Sequence, residues 1–221
     1  MAGKVQSFGL AVFVCMWLAA GCVPSAIEKD TQTPLSVEQR QAMLAREISR
    51  KFENPKAHFE LGQLYQEQGR LGDAEFHYRT AISFDAVHWP ARAALVKVLE
   101  QSNQAATAKQ TAEAFMNEVG TSTENLLGLG RAFQEQHVDN YALACYRQAL
   151  PSAPDSPEAH KRLGDYYWGK GDKVRAEEYY RRSFELDWNQ PDVAYQLGLL
   201  GRVIRVAPEK SGQPTENQTR Q

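Results

Sequence analysis

The sequence predicts an all-α fold, a short solenoid of antiparallel helix pairs stacked side by side. Three observations predict it. A leucine recurs every 34 residues, at Leu61, Leu95, Leu129, Leu163 and Leu197. The residue after it is glycine at Gly62, Gly130, Gly164 and Gly198, with Val96 the exception. A second block keeps the same spacing: Ala74, Ala108, Ala142 and Ala176, followed four residues later by Tyr78, Ala112, Tyr146 and Tyr180. A fixed period of roughly 20–50 residues is the mark of a stacked array whose units share one core.

The first element in the chain is an address. Lys4 precedes an apolar run from Phe8 to Ala20, and small residues lead into Cys22. A charged start, an apolar middle and a small-residue exit form a secretory signal over residues 1–21. The run is short of the roughly 20 apolar residues that a transmembrane helix needs. Leu18-Ala19-Ala20-Gly21-Cys22 resembles a bacterial lipobox. That resemblance implies that Cys22 becomes the first residue of the mature chain and carries lipid. It also implies a place in the bacterial cell envelope, on the periplasmic face of the outer membrane, because Val23 rather than Asp follows the cysteine. Palmitate-type chains would then hold the protein, since each buried methylene contributes about 0.8 kcal/mol and two or more chains anchor stably. With Cys15 removed and Cys22 lipidated, Cys145 is the remaining cysteine of the three, and no intrachain disulfide is expected. Residues 22–35 are rich in Pro, Ser, Thr and charge and read as a flexible tether.

Residues 36–53 read as a capping helix. Ser36 and Gln39 have the spacing of a capping box, and Val37, Leu44, Ile48 and Phe52 share one face. Four repeats follow, at 55–88, 89–122, 123–156 and 157–190. In each first helix the apolar stripe contains the leucine column with Tyr65, Leu99, Phe133 or Tyr167. The glycine column lets a partner helix approach closely, and the second helix supplies the small residue, the ring and then Ala81, Phe115, Ala149 or Ser183. Gly69, Asn103 and Gly171 fall between helices, where a left-handed cap is expected. Pro55, Pro157 and Pro191 open first helices, where a missing N–H costs nothing. In the second repeat large and small have exchanged places, with Val96 for glycine, Ala112 for the ring and Phe115 for the small residue. A last first helix is expected over 191–206, and residues 207–221 are polar and expected to be disordered.

The Leu-Gly-x2-Tyr and Ala-x3-Tyr blocks over residues 55 to about 206 resemble the tetratricopeptide repeat. The resemblance implies a right-handed solenoid whose inner surface binds peptide segments or helices of other proteins. Residues about 100–120° from the packing stripe should line that surface. These are Phe59, Gln63 and Gln66, then Ala93, Lys97 and Glu100, then Leu127, Arg131 and Gln134, then Lys161, Asp165 and Trp168, and finally Tyr195, Leu199 and Arg202. Phe59, Leu127, Trp168 and Tyr195 sit off the stripe, where the core does not call for them. Aromatic anchors beside Arg and Lys are what a binding groove presents.

Other classes find no support. A net charge of −2 gives no basis for contacts along a nucleic acid. The five histidines lack metal-ligand spacing, no nucleophile elbow or phosphate loop occurs, and no carboxylate pair stands out. No catalytic residue, metal or cofactor is expected. Gly128 and Gly130 fall inside a first helix rather than in a phosphate loop, and Cys145 reads as a small core filler. The reading is a lipid-anchored adaptor for assembly of an envelope complex. Its alternatives are a lipoprotein linking membrane and cell wall, or a binder of a small ligand. The last helix, PDVAYQLGLLGRVIRV, has more apolar surface than one neighbouring repeat covers. Either it is a self-association surface that pairs two copies into a homodimer, or a partner site, or the stretch after Val206 folds back over it.

Overall fold

Helix starts are written locally. Asn54, Ser122, Ser156 and Asp172 each accept a hydrogen bond from the backbone N–H three residues on, and Pro55, Pro157 and Pro191 stand at the first helical position. The Ser36–Gln39 capping box forms in both directions. The computed structural model describes residues 35–202. Within them run α1 (Val37–Arg50), α2 (Pro55–Glu67), α3 (Leu71–Phe84), α4 (Trp89–Gln101), α5 (Ala105–Val119), α6 (Thr123–Glu135), α7 (Asp139–Ala149), α8 (Pro157–Gly169), α9 (Lys173–Leu186) and α10 (Pro191–Leu199), with no strand among the described residues. The signal segment 1–21, Cys22, nearly all of the tether 22–35 and the tail 207–221 lie outside the described residues.

Helices pair as hairpins α2/α3, α4/α5, α6/α7 and α8/α9, and successive hairpins stack. Among α4, α6 and α8 the first helices also touch one another, whereas the second helices stay further apart. The array therefore closes toward its first helices, which line the inner face. The fold is an all-α solenoid.

Glycine and tyrosine hold each hairpin. A methyl group added to Gly62 would lie 2.6 Å from the Tyr78 ring, one on Gly130 2.5 Å from Tyr146, and one on Gly164 2.5 Å from Tyr180. The ring lies flat in the notch that the missing side chain leaves. Tyr78, Tyr146 and Tyr180 are almost wholly buried, with Leu61, Leu95, Leu129, Leu163, Leu197, Phe133 and Tyr167 around them. Ala74, Ala108, Ala142, Ala176, Ala81 and Ala149 are fully buried where the facing helices come closest. Each buried phenol still needs a partner. Tyr78 donates to Gln66 Oε1 at 2.7 Å and Tyr146 to Gln134 Oε1 at 2.8 Å, two residues in the same column. Trp168 occupies that column in the fourth repeat, so Tyr180 donates to Asp165 instead, at 2.9 Å.

Between its two helices every repeat turns through the left-handed region, with φ of 73° at Gly69, 58° at Asn103, 57° at His137 and 75° at Gly171. His137 was not among the turn residues expected from sequence; the position in the fold, not the residue type, imposes the conformation.

Several expectations need correction. Phe52 does not belong to the capping helix: α1 ends at Arg50, and Phe52 packs edge-on to His58 and Phe84 while staying exposed. Tyr65 is only half-buried, stacked on His77 under the Arg70 guanidinium. The last helix stops at Leu199 rather than running to 206, because the chain turns at Gly201 with φ 77°. Gly198 was expected in the core and is exposed, with nothing among the described residues within 4 Å of where its methyl would stand.

Candidate protein-interaction groove

The inner face carries a cleft of about 390 Å3 across α4, α6 and α8. It is lined by Val87 just before α4 and Trp89 at its start, by Glu124, Asn125, Leu127, Gly128 and Arg131 of α6, and by Glu158 and Arg162 of α8. The indole of Trp89 crosses α6 at Gly128, where a methyl would lie 2.8 Å from its Nε1. Gly128 is therefore a seat for a ring from the preceding repeat. Arg162 pairs with Glu158 at 2.6 Å, while Arg131 is exposed and only loosely near Glu135, at 3.7 Å. The cleft thus offers apolar side chains, an exposed guanidinium and polar groups, which suits a peptide segment with apolar and acidic side chains.

The residues expected to line a groove do not share one cleft. Leu127 and Arg131 meet in the cleft just described. Gln63 lines a separate hollow of about 330 Å3 between α1 and α2, with Arg40, Met43 and Leu64. Lys161 and Asp165 line a third, of about 240 Å3, with Tyr180, Asp192 and Gln196. There Lys161 is engaged in an ion pair with Asp192. Burial raises the Asp165 carboxyl above its ordinary range, against the opposing pull of the Tyr180 hydroxyl and of Arg162 and Lys161.

Four assignments change. Leu127 is buried and belongs to the core as well as to the cleft floor. Phe59 is half-buried between the rings of Tyr78 and His88, at centroid distances of 5.8 and 4.9 Å. Trp168 is half-buried and packed on the core. Ala93 is fully buried. Packing against other helices covers these positions, which the angle on a single helix could not reveal. Lys97 is half-buried on α4, and Tyr195 stands 65% exposed on α10. Sequence reasoning missed Val87, Trp89 and Arg162. One signal for Trp89 was present: Gly128 is a glycine outside the repeating glycine column, and such a glycine asks what passes over it.

Cys145 is buried and its thiol is pushed up to about 12 by burial, so it is no nucleophile. His58 is wholly buried; its Nε2 lies 3.0 Å from the Phe52 carbonyl and its Nδ1 2.9 Å from Nδ1 of His77. Donation from Nε2 to the carbonyl leaves Nδ1 of His58 as acceptor, so His77 donates from Nδ1. Among the described residues no cluster of three or more His, Cys, Asp or Glu could hold a metal, and no helix is long and apolar enough to cross a membrane.

Comparison with known proteins fits this geometry. Residues 55–85 and residues 140–191 match models of the tetratricopeptide repeat. No curated protein matches the chain. Similar solved structures include PilF of Pseudomonas aeruginosa, at 24% identity over 66% of this chain and 67% of that one, with a TM-score of 0.38. Another is MamA (residues 41 to the end) from Desulfovibrio magneticus RS-1, at 19% identity over 70% and 88% and a TM-score of 0.39. A third is YrrB, described as a tetratricopeptide-repeat protein with an unusual peptide-binding site, at 17% identity over 75% and 84% and a TM-score of 0.38. The hairpins with their tyrosine-filled notches agree with the matches over residues 55–85 and 140–191: the chain carries tetratricopeptide repeats, stacked in an all-α solenoid of the kind that binds other proteins.

Proposed function

We propose that this chain is a lipid-anchored adaptor that holds a peptide segment of a partner protein in the cleft across α4, α6 and α8, binding without catalysis. The observation that carries the reading is the cleft itself. An exposed apolar residue, Val87, an indole held in place by Gly128 and the exposed Arg131 converge on the inner face of successive repeats. The lipobox-like Leu18–Cys22 segment supports attachment to an envelope membrane. Confinement there raises the effective concentration of the module near membrane partners, which suits assembly of an envelope complex.

Peptides selected from a random display library on the immobilised full chain test the cleft. They should lose about ten-fold or more in affinity for a Val87→Asp/Arg131→Glu variant. They should bind unchanged to Phe76→Ser, which alters an exposed ring on α3. Equal affinity for the cleft variant and the parent would remove the assignment. Labelled palmitate should enter the parent chain and not Cys22→Ser; equal labelling would remove the anchor and leave the cleft standing.

A further inference from the structure

Among the described residues, helix α10 is a first helix without its second. In three hairpins the notch at the glycine column is filled by a tyrosine ring within 2.6 Å of the missing methyl position. Gly198 holds the same column on α10, and among the described residues nothing lies within 4 Å of its missing methyl position. Val193 and Leu197 bury one side of the helix against the fourth repeat, while Tyr195 and Leu199 are 65% and 53% exposed on the other. An apolar face with a prepared notch thus ends the described array.

The molecule itself shows what fits such a notch. In each filled case an antiparallel helix brings a small residue, a ring four residues later and a small residue three after that: Ala74, Tyr78 and Ala81; Ala142, Tyr146 and Ala149; Ala176, Tyr180 and Ser183. Residues 203–221 cannot supply it, since they contain no aromatic residue and place Pro214 where the ring-bearing residue would stand. A second copy fits poorly too. Gly72 and the exposed Phe76 of α3 have the right spacing, but Arg79 stands where the small residue is needed.

The ring's hydroxyl group gives one more constraint. Its acceptors are Gln66 and Gln134, four residues after the glycine, or Asp165, one residue after it. On α10 only the second of those places is helical, and it holds Leu199; the first falls on Arg202, beyond the helix end and paired with Glu177, and neither side chain accepts a hydrogen bond. Phenylalanine therefore fits this notch better than tyrosine.

We propose that α10 is the acceptor for an amphipathic helix of a partner protein, carrying small-x3-Phe-x2-small, which completes a fifth hairpin at the end of the array. The surface is separate from the inner cleft.

A labelled synthetic peptide copying residues 171–188, with Phe in place of Tyr180, serves as the probe, and fluorescence anisotropy with the full chain reads binding. Saturable one-to-one binding is expected. It should weaken about ten-fold when Ala replaces that Phe, and about ten-fold with Gly198→Leu on the chain. That variant fills open space and should keep the parent's thermal midpoint. Val87→Asp/Arg131→Glu should leave this binding unchanged, so failure here and failure of the cleft are separable. The proposal is overturned by no saturation up to about 1 mM peptide, by binding indifferent to Gly198→Leu, or by a Gly198-dependent dimer in sedimentation, which would give the notch to a second copy.

Discussion

The first and second repeats solve one packing problem with opposite residues. In the first, Gly62 on α2 makes a notch and Tyr78 on α3 fills it. In the second, Val96 fills the space from α4, and Ala112 on α5 is the small partner; both are fully buried. Phe115 then takes the place that Ala81 holds in the first repeat, partly buried against the core. Bulk removed at the ring position reappears at Val96 and at the partly buried Phe115, so its distribution between the helices is inverted, a change that a close-packed interior accepts when its neighbours repack. The column of His58 shows the same contrast. His58 is neutral, buried and bonded on both ring nitrogens. Arg92 is equally buried, with Nη2 on Glu118 at 2.7 Å, its guanidinium over Phe115, and Nε and Nη1 without a partner among the described residues. The repeat constrains volume and spacing at a column more tightly than it constrains chemical identity.

Transplanting one solution into the other is the strongest way to break this comparison. Tyr78→Ala should cost about 3–5 kcal/mol by opening a cavity and freeing Gln66, and Gly62→Val about 1–3 kcal/mol by overpacking. The triple variant Gly62→Val/Tyr78→Ala/Ala81→Phe copies the second repeat. Denaturant unfolding should show it at least about 1 kcal/mol better than the sum of its parts. Strict additivity would mean that the two repeats are not alternative packings of one site.

Acid should act on the first repeat and spare the second. Burial, with repulsion from His58 added and Asp73 opposing, pushes His77 down to about 4 from an ordinary 6.5; burial lowers His58 as well. The unfolded chain then takes up the proton first. The contribution to stability is complete above about pH 6.5 and is lost as pH falls from there toward 4. With His77 half-exposed and solvent-screened, the loss should be on the order of 1 kcal/mol. In the fourth repeat Tyr179 faces His160 at the matching place, so His77→Tyr should flatten the pH dependence of the thermal midpoint between 7 and 5. An unchanged slope would clear the histidine pair.

Arg92→Leu sharpens the contrast from the other side. Leu126 holds the same column in the third repeat, fully buried. Replacing a buried charge that has two idle donors should be neutral or stabilise by about 1 kcal/mol. A loss above that in calorimetry would show that the Glu118 pair and the ring contacts outweigh desolvation. The smallest effect is expected at the turns. His137→Gly relieves a left-handed residue and should stabilise by about 0.5–1 kcal/mol, while Gly69→Ala should destabilise by a similar amount.

Most of the fold was legible because its signal is repeated. Leu61, Gly62, Tyr78 and their counterparts recur at one spacing, and a helix pair with such a face has to stack on a neighbour. The site was legible only in part. Leu127 and Arg131 do meet in the inner cleft, but Phe59, Trp168 and Ala93 looked equally free on the helix wheel and are covered by neighbouring side chains. Gly198 had the same letter as Gly62 and a different place, because no described helix packs over it as α3 packs over Gly62.

By itself the sequence determined which residues form hairpins and at what interval, since helix starts, left-handed turns and notch–ring pairs are local or strictly periodic. The tertiary structure alone decided that Trp89 crosses to Gly128, that Tyr180 turns to Asp165 and that Gly198 has no described neighbour in its notch. Those outcomes depend on contacts between repeats and on what stands at the end of the stack, and neither is encoded in the face of any single helix.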